Sequence, residues 1–455
     1  MPNQSPPTPT TECIPSVTLK SGGKKPLLVS FDAPNISSDA GLLLLRQMDD
    51  RLRLIKSMAA VLADQRDPVF VRHRREEQLR QRVFQIAMGY PDCNDADRLR
   101  HDPLLKTVCD ASPAQPFGLS SQPTLSRFEN AMDAASLQKI AALFEQQYVQ
   151  SLPEDTTHVI LDIDTTDDPT HGQQQLTFYH GFYEQHMYHP LMVFDASTGE
   201  LITVLLRPGN AHSSRSAMLI LRRVIRLIKA RFPAAHVLVR GDGGFCVPRI
   251  LLGLEELNTQ LQNVDYLFGI AQNSRLLTLG GAWIQLAAGQ HAATEEHVRL
   301  FGVFRYAAAS WPRERRIIIK AEHAEKGSNP RFIVTSSEES QARDWYEAYC
   351  ARGQCENWIK DFKNAVFADR LSCSSFVANA FRLWLHAMAY RLMHALRTEC
   401  CSGLQMACMQ LDTLRLRLIK VAAIVTESAR RILVRLPKAF PWAQQWAQLS
   451  ERLQT

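Results

Sequence analysis

The chain has 455 residues, which is enough for two or three domains, and its formal net charge of +6 suits a polyanionic partner. Its first residues lack the basic start and apolar stretch of a signal peptide, and no apolar run approaches the roughly 20 residues of a membrane span. Ten cysteines scattered over so long a chain argue against a disulfide framework or a zinc site, so we expect a cytoplasmic protein with no membrane partner.

The N-terminal third divides into a tail and a helical region. Residues 1–40 are rich in Pro, Ser, Thr and Gly, which predicts a disordered tail with one short strand at 26–31. From 41 to 150 apolar residues recur at helical spacing, which predicts a helical domain. Its basic residues indicate either a surface for a phosphate backbone or ordinary solvated helix faces; they are Arg51, Arg53, Lys56, Arg72, Arg74, Arg75, Arg80 and Arg82.

The segment 151–271 predicts strands that alternate with helices, and therefore an α/β fold around a partly parallel sheet. Short runs of branched apolar residues predict strands at 158–164, 191–194, 201–206, 236–240 and 266–270. Apolar residues at helical spacing predict helices at 213–231 and 250–257.

The remainder of the chain predicts a change of rhythm and a return to helix. Residues 272–338 are interpreted as a β-rich insertion, with strands at 298–306, 315–320 and 331–335. Helices are predicted at 343–367 and 381–396, within a segment 339–400 that completes the core. Residues 401–455 form a C-terminal region.

Three carboxylates stand at positions that suit a catalytic site for phosphoryl transfer. Asp164 and Asp242 each end a predicted strand, and Glu356 lies on a helix beyond the insertion. Two Mg²⁺ ions about 3.5–4 Å apart stabilise the attacking and leaving oxygens in such reactions, and hard cations prefer carboxylate oxygens. Asp162 lies two residues before Asp164 and faces the same side of the strand, so alternation leaves both open. We favour Asp164 because it lies nearer the strand's C-terminal tip.

A second pattern surrounds the third acid. Tyr349, Arg352, Glu356 and Lys363 are spaced so that one helix carries them on one face. An acid flanked by a phenol and two cations suits a metal ion together with a phosphate. The alternative is a surface helix with charged pairs.

These residues resemble the DDE transposases of bacterial insertion sequences, in the branch with a Y-R-E-K signature. Six stretches are similar to the insertion-sequence group named after element thirteen-eighty, and the likeness runs from about 159 to 392; they are DIDTTDDPTHGQQQ, YHPLMVF, RPGNAHSS, RGDGGF, CENWIKDFKNA and SSFVANAFRLWLHAMAYRL. In one position the chain departs from these relatives, because Gly353 follows the signature arginine where they carry tryptophan.

The resemblance implies a ribonuclease-H-like core in which Asp164, Asp242 and Glu356 hold two Mg²⁺ ions, for which Mn²⁺ can substitute. It implies that Tyr349, Arg352 and Lys363 contact DNA and that residues 41–150 bind it. The reaction would cut transposon ends at their terminal inverted repeats and join them to target DNA, within a nucleoid-associated homodimer. Two roles are open for Trp283 and Trp311: stacking on an unpaired base, or core packing, which is the role we favour for both.

Two other functions fit part of the sequence. Asp162-Ile-Asp164-Thr-Thr166 resembles the nucleophile motif of haloacid-dehalogenase phosphatases, but the later Asp of that family is missing after Asp242. Such a phosphatase also leaves the pattern from 349 to 363 unexplained. The second alternative is a DNA-binding protein that descends from a transposase and has lost catalysis.

Overall fold

The computed structural model of the chain describes residues 16–19, 25, 27–338 and 341–454. Most of the tail predicted at 1–40 lies outside these residues. The short strand predicted at 26–31 is present as β2, which pairs with β1 in a two-stranded sheet. Across the described part of the chain, no helix is both long and apolar enough to cross a membrane.

Helices dominate the two ends of the chain and strands its middle. The described helices are α1 (Leu42–Leu52), α2 (Leu54–Val61), α3 (Arg75–Met88), α4 (Ala96–Leu99), α5 (Pro103–Val108), α6 (Gln122–Asn130), α7 (Ala134–Ser151), α8 (Ala217–Arg231), α9 (Pro248–Leu261), α10 (Ser274–Leu279), α11 (Gly281–Thr294), α12 (Ala342–Cys350), α13 (Gln354–Val366), α14 (Phe376–Ala395), α15 (Leu411–Leu414) and α16 (Ala443–Gln454). The described strands are β1 (Val17–Leu19), β2 (Leu27–Val29), β3 (Ile36–Ser37), β4 (His158–Thr165), β5 (Asp168–Pro169), β6 (Phe178–His180), β7 (Gln185–Tyr188), β8 (Leu191–Asp195), β9 (Leu201–Leu205), β10 (His236–Gly241), β11 (Val264–Ile270), β12 (Val298–Tyr306), β13 (Arg315–Ala324), β14 (Gly327–Ser328), β15 (Arg331–Thr335), β16 (Ala423–Ser428) and β17 (Arg431–Arg435).

A nine-stranded mixed sheet forms the centre of the molecule. Its strand order is β12-β13-β15-β11-β10-β4-β8-β9, with β14 paired to β13 outside this path. β10 is parallel to both β4 and β11, and the other pairs are antiparallel. Val237 and Val239 of β10 pack in one apolar cluster and Leu238 in another, and this agrees with the unbroken apolar run of a strand that is buried on both faces.

Helices cover both faces of this sheet. On one face α8 and α9 bury aliphatic side chains against the inner strands, including Leu221, Val224 and Leu254. On the other face Tyr346 of α12 packs on a smaller cluster with Leu238 and Leu267. The alternating residues of β10 and β11 therefore serve two separate cores.

The strands predicted at 298–306, 315–320 and 331–335 are present, and they continue the central sheet. β15 pairs antiparallel with β11, β13 with β15, and β12 with β13. Two helices, α10 and α11, precede them within the segment that was expected to be β-rich. The segment 272–338 thus begins with helix and then widens the sheet.

The helical ends of the chain share one hydrophobic core. α14 is buried from Ala378 to Ala395 and contacts α1, α3, α6, α7 and α13. It begins earlier than the predicted helix at 381–396, because the Ser375 side chain accepts a hydrogen bond from the amide of Ala378 and caps it. The first and last thirds of the chain are therefore packed together.

The helix predicted at 343–367 is interrupted. α12 ends at Cys350, a 3₁₀ turn follows at Ala351–Gly353, and α13 begins at Gln354. Gly353 stabilises a regular helix poorly, and it lies at the junction. The break separates Tyr349 from Glu356 along the helix axis and lies within the predicted signature.

Candidate active site

Asp164 and Asp242 lie at the ends of neighbouring parallel strands. β4 and β10 pair in register, with Asp162 opposite Arg240, and each acid follows two residues later. Both side chains therefore reach the edge where the carboxyl ends of the strands meet, which is where sites open in such sheets.

The structure separates the roles of Asp162 and Asp164. Asp162 is fully buried, and Arg240 donates to both of its oxygens, from Nε at 2.7 Å and from Nη2 at 2.8 Å. Arg240 also donates from Nη1 to the carbonyl oxygen of Ala348 at 2.6 Å, which fixes α12 against the sheet. The hydrogen-bonding capacity of Asp162 is thus used within the fold.

Asp164 has a different environment at the strand tip. Its Oδ1 accepts from the amide of Thr165 at 2.8 Å, and its Oδ2 accepts from Nη1 of Arg352 at 3.0 Å. Burial raises the pKa of Asp164 to about 6, Arg352 opposes the rise, and the charges of Asp242 and Glu356 add to it. Asp242 and Glu356 therefore lie close enough to Asp164 for their charges to disfavour its ionisation.

The donor set is suited to a hard divalent cation, although the side chains do not converge on one point. Glu356 lies in the first turn of α13 and is exposed to solvent. Asp242 accepts from the amide of Gly244 through Oδ1 at 2.9 Å, and Arg352 takes one oxygen of Asp164. Over the described ranges of the chain, no three His, Cys, Asp or Glu side chains are grouped closely enough to hold a metal ion. Carboxylate oxygens and a raised Asp164 pKa nevertheless fit a site that a cation would stabilise.

Tyr349 and Arg352 lie beside the acids. Burial raises the pKa of Tyr349, Arg352 opposes the rise, and the charge of Asp242 adds to it. The Tyr349 hydroxyl packs against the backbone of Gly269 in β11, where an added Cβ would lie 2.4 Å from Oη. The guanidinium carbon of Arg352 is 5.9 Å from the centre of the Tyr349 ring. The two side chains are therefore held next to Asp164 and Asp242 by packing and charge.

Lys363 contacts the loop that follows β4. Its Nζ donates to Oδ1 of Asp167 at 2.9 Å and to the carbonyl oxygen of Asp167 at 3.1 Å. A longer ion pair of 3.7 Å joins it to Asp369. The contact ties α13 to the segment just beyond Asp164 and so helps to fix both ends of the site.

A cavity of about 560 Å³ adjoins Asp242, and the sequence alone did not reveal it. It is lined by Gly243 and Tyr349 of the site and by two cations, Lys320 of β13 and Arg331 of β15. The Lys320 Nζ is 5.5 Å from the centre of the Tyr346 ring and 2.6 Å from a Glu322 oxygen. These cations come near the acids only because β15 pairs with β11, a long-range contact that no local pattern signals.

An aromatic hairpin on the other side of the acids was also missed. Burial raises the pKa of Tyr183, and the charges of Asp167, Asp164 and Asp242 add to the rise. The neighbouring Phe182 ring is 83% exposed. The cluster of aromatic residues from 178 to 183 was visible in the sequence, but its place beside the carboxylates depends on the pairing of β6 with β7.

The two tryptophans proposed for base stacking are engaged within the protein. Trp311 is 8% exposed, and Arg315 lies over its ring at 4.9 Å. Trp283 packs on Phe304 with ring centres 6.2 Å apart and covers Gly302. These contacts favour the alternative of core packing.

Comparison with known proteins identifies the family. Among solved structures, the chain is similar to a piggyBac transposase in a synaptic complex with hairpin DNA, at 13% sequence identity and a TM-score of 0.43, over 84% of this chain and 79% of that one. No curated protein matches the chain. A family model described as transposase DDE domain group 1 matches residues 19–455, nearly the whole length. The chain therefore belongs to the DDE-domain transposases of this group.

Proposed function

We propose that this transposase cuts transposon ends and joins them to target DNA at a triad formed by Asp164, Asp242 and Glu356. The observation that carries the proposal is the placement of Asp164 and Asp242 at the carboxyl ends of the paired parallel strands β4 and β10, with Arg352, four residues before Glu356, hydrogen-bonded to Asp164. Asp162 is left out of the triad because Arg240 occupies both of its oxygens.

The proposed catalytic core is ribonuclease-H-like and is formed by 151–271 and 339–400. The strand order β9-β8-β4-β10-β11 supports this part of the proposal. β4, β8 and β9 form an antiparallel meander. On the other side of β4 lie β10 and β11, which run parallel to it, as in ribonuclease-H-like cores. Residues 272–338 then act as an extension of the sheet that brings Lys320 and Arg331 to the site.

Asp164, Asp242 and Glu356 would hold paired Mg²⁺ ions. Such ions, when bound, activate water and stabilise charge on the attacking and leaving oxygens of a phosphodiester. Arg352 lies 3.0 Å from an Asp164 oxygen and balances its charge. A different rotamer of Arg352 would free an oxygen of Asp164 for a cation. The guanidinium of Arg352 could then bind a DNA phosphate.

The remaining side chains of the site would position the DNA. Arg352 and Lys363 present cations beside Asp164 and the loop after it, and guanidinium groups bind phosphates through paired hydrogen bonds. Tyr349 would donate its hydroxyl proton to a phosphate oxygen, since burial keeps the phenol protonated at neutral pH. Lys320 and Arg331 would hold the strand that lies along the adjoining cavity.

We extend the proposal to membership of the insertion-sequence group named after element thirteen-eighty and to a homodimer that binds two DNA ends. The sequence stretches quoted above and the pattern Tyr349, Arg352, Glu356 and Lys363 support the first part. The formal charge of +6 is consistent with a DNA partner.

The test uses labelled duplexes that carry the terminal inverted repeats flanking the gene. With Mg²⁺ the wild-type protein should cut at the repeat end and join the product to a target duplex, and chelation should stop both steps. A phosphatase would leave the duplex intact, and a protein that only binds would shift its mobility without cutting it.

Asp242→Asn provides the matched variant. Asn keeps the oxygen that accepts from the Gly244 amide, so the fold and DNA binding should remain while cleavage is lost. Asp344→Asn is the control, because this exposed acid of α12 lies outside the site and its replacement makes the same change in charge. Cleavage by the Asp242→Asn protein would refute the assignment of the triad.

A further inference from the structure

A basic cavity lies among the N-terminal helices and shares no residue with the candidate active site. Its volume is about 490 Å³, and none of the described residues that line it is acidic. Five arginines and one histidine line it: Arg66, Arg72, His73, Arg75, Arg100 and Arg127. Such a concentration of cations in a concave surface produces a strongly positive local potential.

Little negative charge compensates these arginines. Asp64 pairs with Arg66 at 2.6 Å and with Arg75 at 3.5 Å. In the described ranges of the chain, Arg72, Arg100 and Arg127 have no carboxylate within 4 Å. Arg72 lies over the Phe117 ring at 5.0 Å, and Arg100 donates from Nε to His101 at 3.0 Å. The cavity therefore keeps a net positive charge that an anion would neutralise.

Burial makes this charge costly. The Arg75 side chain is only 11% exposed, and its buried Nε lies 3.5 Å from an Asp64 oxygen without forming a hydrogen bond to it. Burial lowers the pKa of Arg75. It also lowers the pKa of His73, with Arg72 and Arg100 adding to the effect and Glu77 opposing it. A buried donor whose ion pair is long and lacks a hydrogen bond is poorly satisfied, so an oxygen-rich ligand in the cavity would be stabilised.

Two helices begin at the same cavity. Arg75 and Gln78 belong to the first turn of α3, while Ser121 and Thr124 lie at the start of α6. The positive dipole ends of helix N-termini favour anions, although at α6 the Gln122 amide already donates to Asp97 at 3.2 Å. Two acids in the first turn of α3 do not cancel this effect, because Glu76 pairs with Arg80 and Glu77 with Arg74, and neither lines the cavity.

Exposed aromatic rings border the cavity. Phe70 is 84% exposed and belongs to the lining. Phe117, whose ring lies under the Arg72 guanidinium, is 64% exposed. Rings left in water beside cations are a frequent arrangement in proteins that bind nucleic acids, where the ring stacks on a base and the cations hold the backbone. A single inorganic phosphate would use neither the rings nor all five arginines.

We propose that this cavity binds the phosphodiester backbone of the transposon end, with Phe70 in contact with a nucleotide. The inference rests on the proposed function, because that function supplies DNA as the ligand. The arginines near this cavity differ in their environment. Arg80 and Arg82 are buried in ion pairs with Glu76 and Glu129, whereas Arg72, Arg100 and Arg127 face the cavity.

The test measures binding of the end duplex by full-length protein in the Asp242→Asn background, so that no cleavage intervenes. The double variant Arg72→Ala/Arg127→Ala should weaken binding by roughly 10-fold or more at physiological salt, and should reduce the slope of log K against log salt by about 2. The control Arg222→Ala/Arg226→Ala removes the same charge from the outer side of α8 and should leave both quantities unchanged.

Two further variants make the result specific. Arg72→Lys/Arg127→Lys should restore most of the salt slope, since it keeps the charge. Phe70→Ala should leave the salt slope unchanged and reduce the fluorescence quenching of a 2-aminopurine base placed in the end duplex. Circular dichroism and thermal melting verify that each variant is folded.

The outcomes separate the two proposals. If the wild-type protein cuts the ends but the cavity variants bind them like their parent, the cavity inference is overturned and the proposed function stands. If the wild-type protein neither binds nor cuts the ends, both are overturned. If the cavity variants bind inorganic phosphate more weakly than their parent but bind the end duplex equally well, the cavity is a site for a small anion and the inference is overturned.

Discussion

Arg240 donates to both carboxylate oxygens of Asp162, and the two residues lie 78 positions apart in the chain. This pair joins the strand that ends at Asp164 to the strand that leads to Asp242. It is fully withdrawn from solvent on the Asp162 side and leaves no oxygen for a ligand. The buried pair thus holds the proposed site together while the next acid along the strand remains at its open edge.

Replacing Asp162 should mainly lower stability, whereas replacing Asp164 should mainly abolish catalysis. Asp162→Asn leaves the buried Arg240 without its counter-charge and should lower the free energy of unfolding by about 3–5 kcal/mol. Asp164→Asn keeps an acceptor for the Thr165 amide and removes a carboxylate from an acidic, poorly solvated place, so stability should change by less than about 1 kcal/mol. Asp164→Asn should abolish cleavage although the protein stays folded, because it removes a proposed metal ligand. Denaturant unfolding and end cleavage measure the two effects, and equal destabilisation by both variants would contradict the assignment.

Gly269 should be required because it makes room for Tyr349. In Gly269→Ala the added Cβ would lie 2.4 Å from the tyrosine hydroxyl, so the free energy of unfolding should fall by about 1–3 kcal/mol and cleavage should decrease. The double variant Gly269→Ala/Tyr349→Phe removes the clashing oxygen and should recover most of the stability. Tyr349→Phe alone is the control. If the double variant is as unstable as Gly269→Ala, the contact with Tyr349 is not the cause.

Lys363 should matter for both the site and the DNA. Lys363→Ala removes the two hydrogen bonds to Asp167 and one cation, and should weaken end binding and reduce the slope of log K against log salt by about 1. Lys360→Ala, at an exposed position of the same helix, is the matched control and should have little effect. Electrophoretic mobility shifts at several salt concentrations provide the measurement. An unchanged slope would mean that Lys363 acts only on the Asp167 loop.

Burial of His394 should make the folded protein less stable in mild acid. It is 3% exposed and contacts the carbonyl oxygen of Thr198 through Nε2 at 3.1 Å, and burial lowers its pKa to about 3. Between pH 6.5 and the folded pKa only the unfolded chain takes up the proton, so the contribution of His394 is complete above pH 6.5 and falls as the pH falls, by about 1.4 kcal/mol per unit.

His394→Gln isolates this effect, because glutamine can donate to the same carbonyl oxygen and does not titrate. The difference in unfolding free energy between the wild-type protein and this variant should decrease as the pH is lowered from 7 to 5. Other titrating groups cancel in the difference. A difference that stays constant with pH would show that His394 does not carry the effect.

The basic clusters of the N-terminal helices illustrate the limit of local patterns. Arg80 and Arg82 lie in the same stretch as Arg72 and Arg75, and the sequence left their role open between DNA contact and solvated surface. In the fold Arg82 is fully buried and pairs with Glu129, which lies 47 residues away. Arginine content predicts a positive surface, but only the packing of α3 against α6 and α14 determines which guanidinium groups remain available.

Local sequence patterns predict the main strands and helices of the core, and they place Asp164 and Asp242 at strand ends and Glu356 on a helix. These are consequences of apolar periodicity, which depends on neighbours a few residues away. Tertiary packing sets the pairing of Arg240 with Asp162 and the widening of the central sheet by 272–338. Each of these depends on contacts between residues distant in the chain, whose pairing is selected by burial and charge in the assembled core.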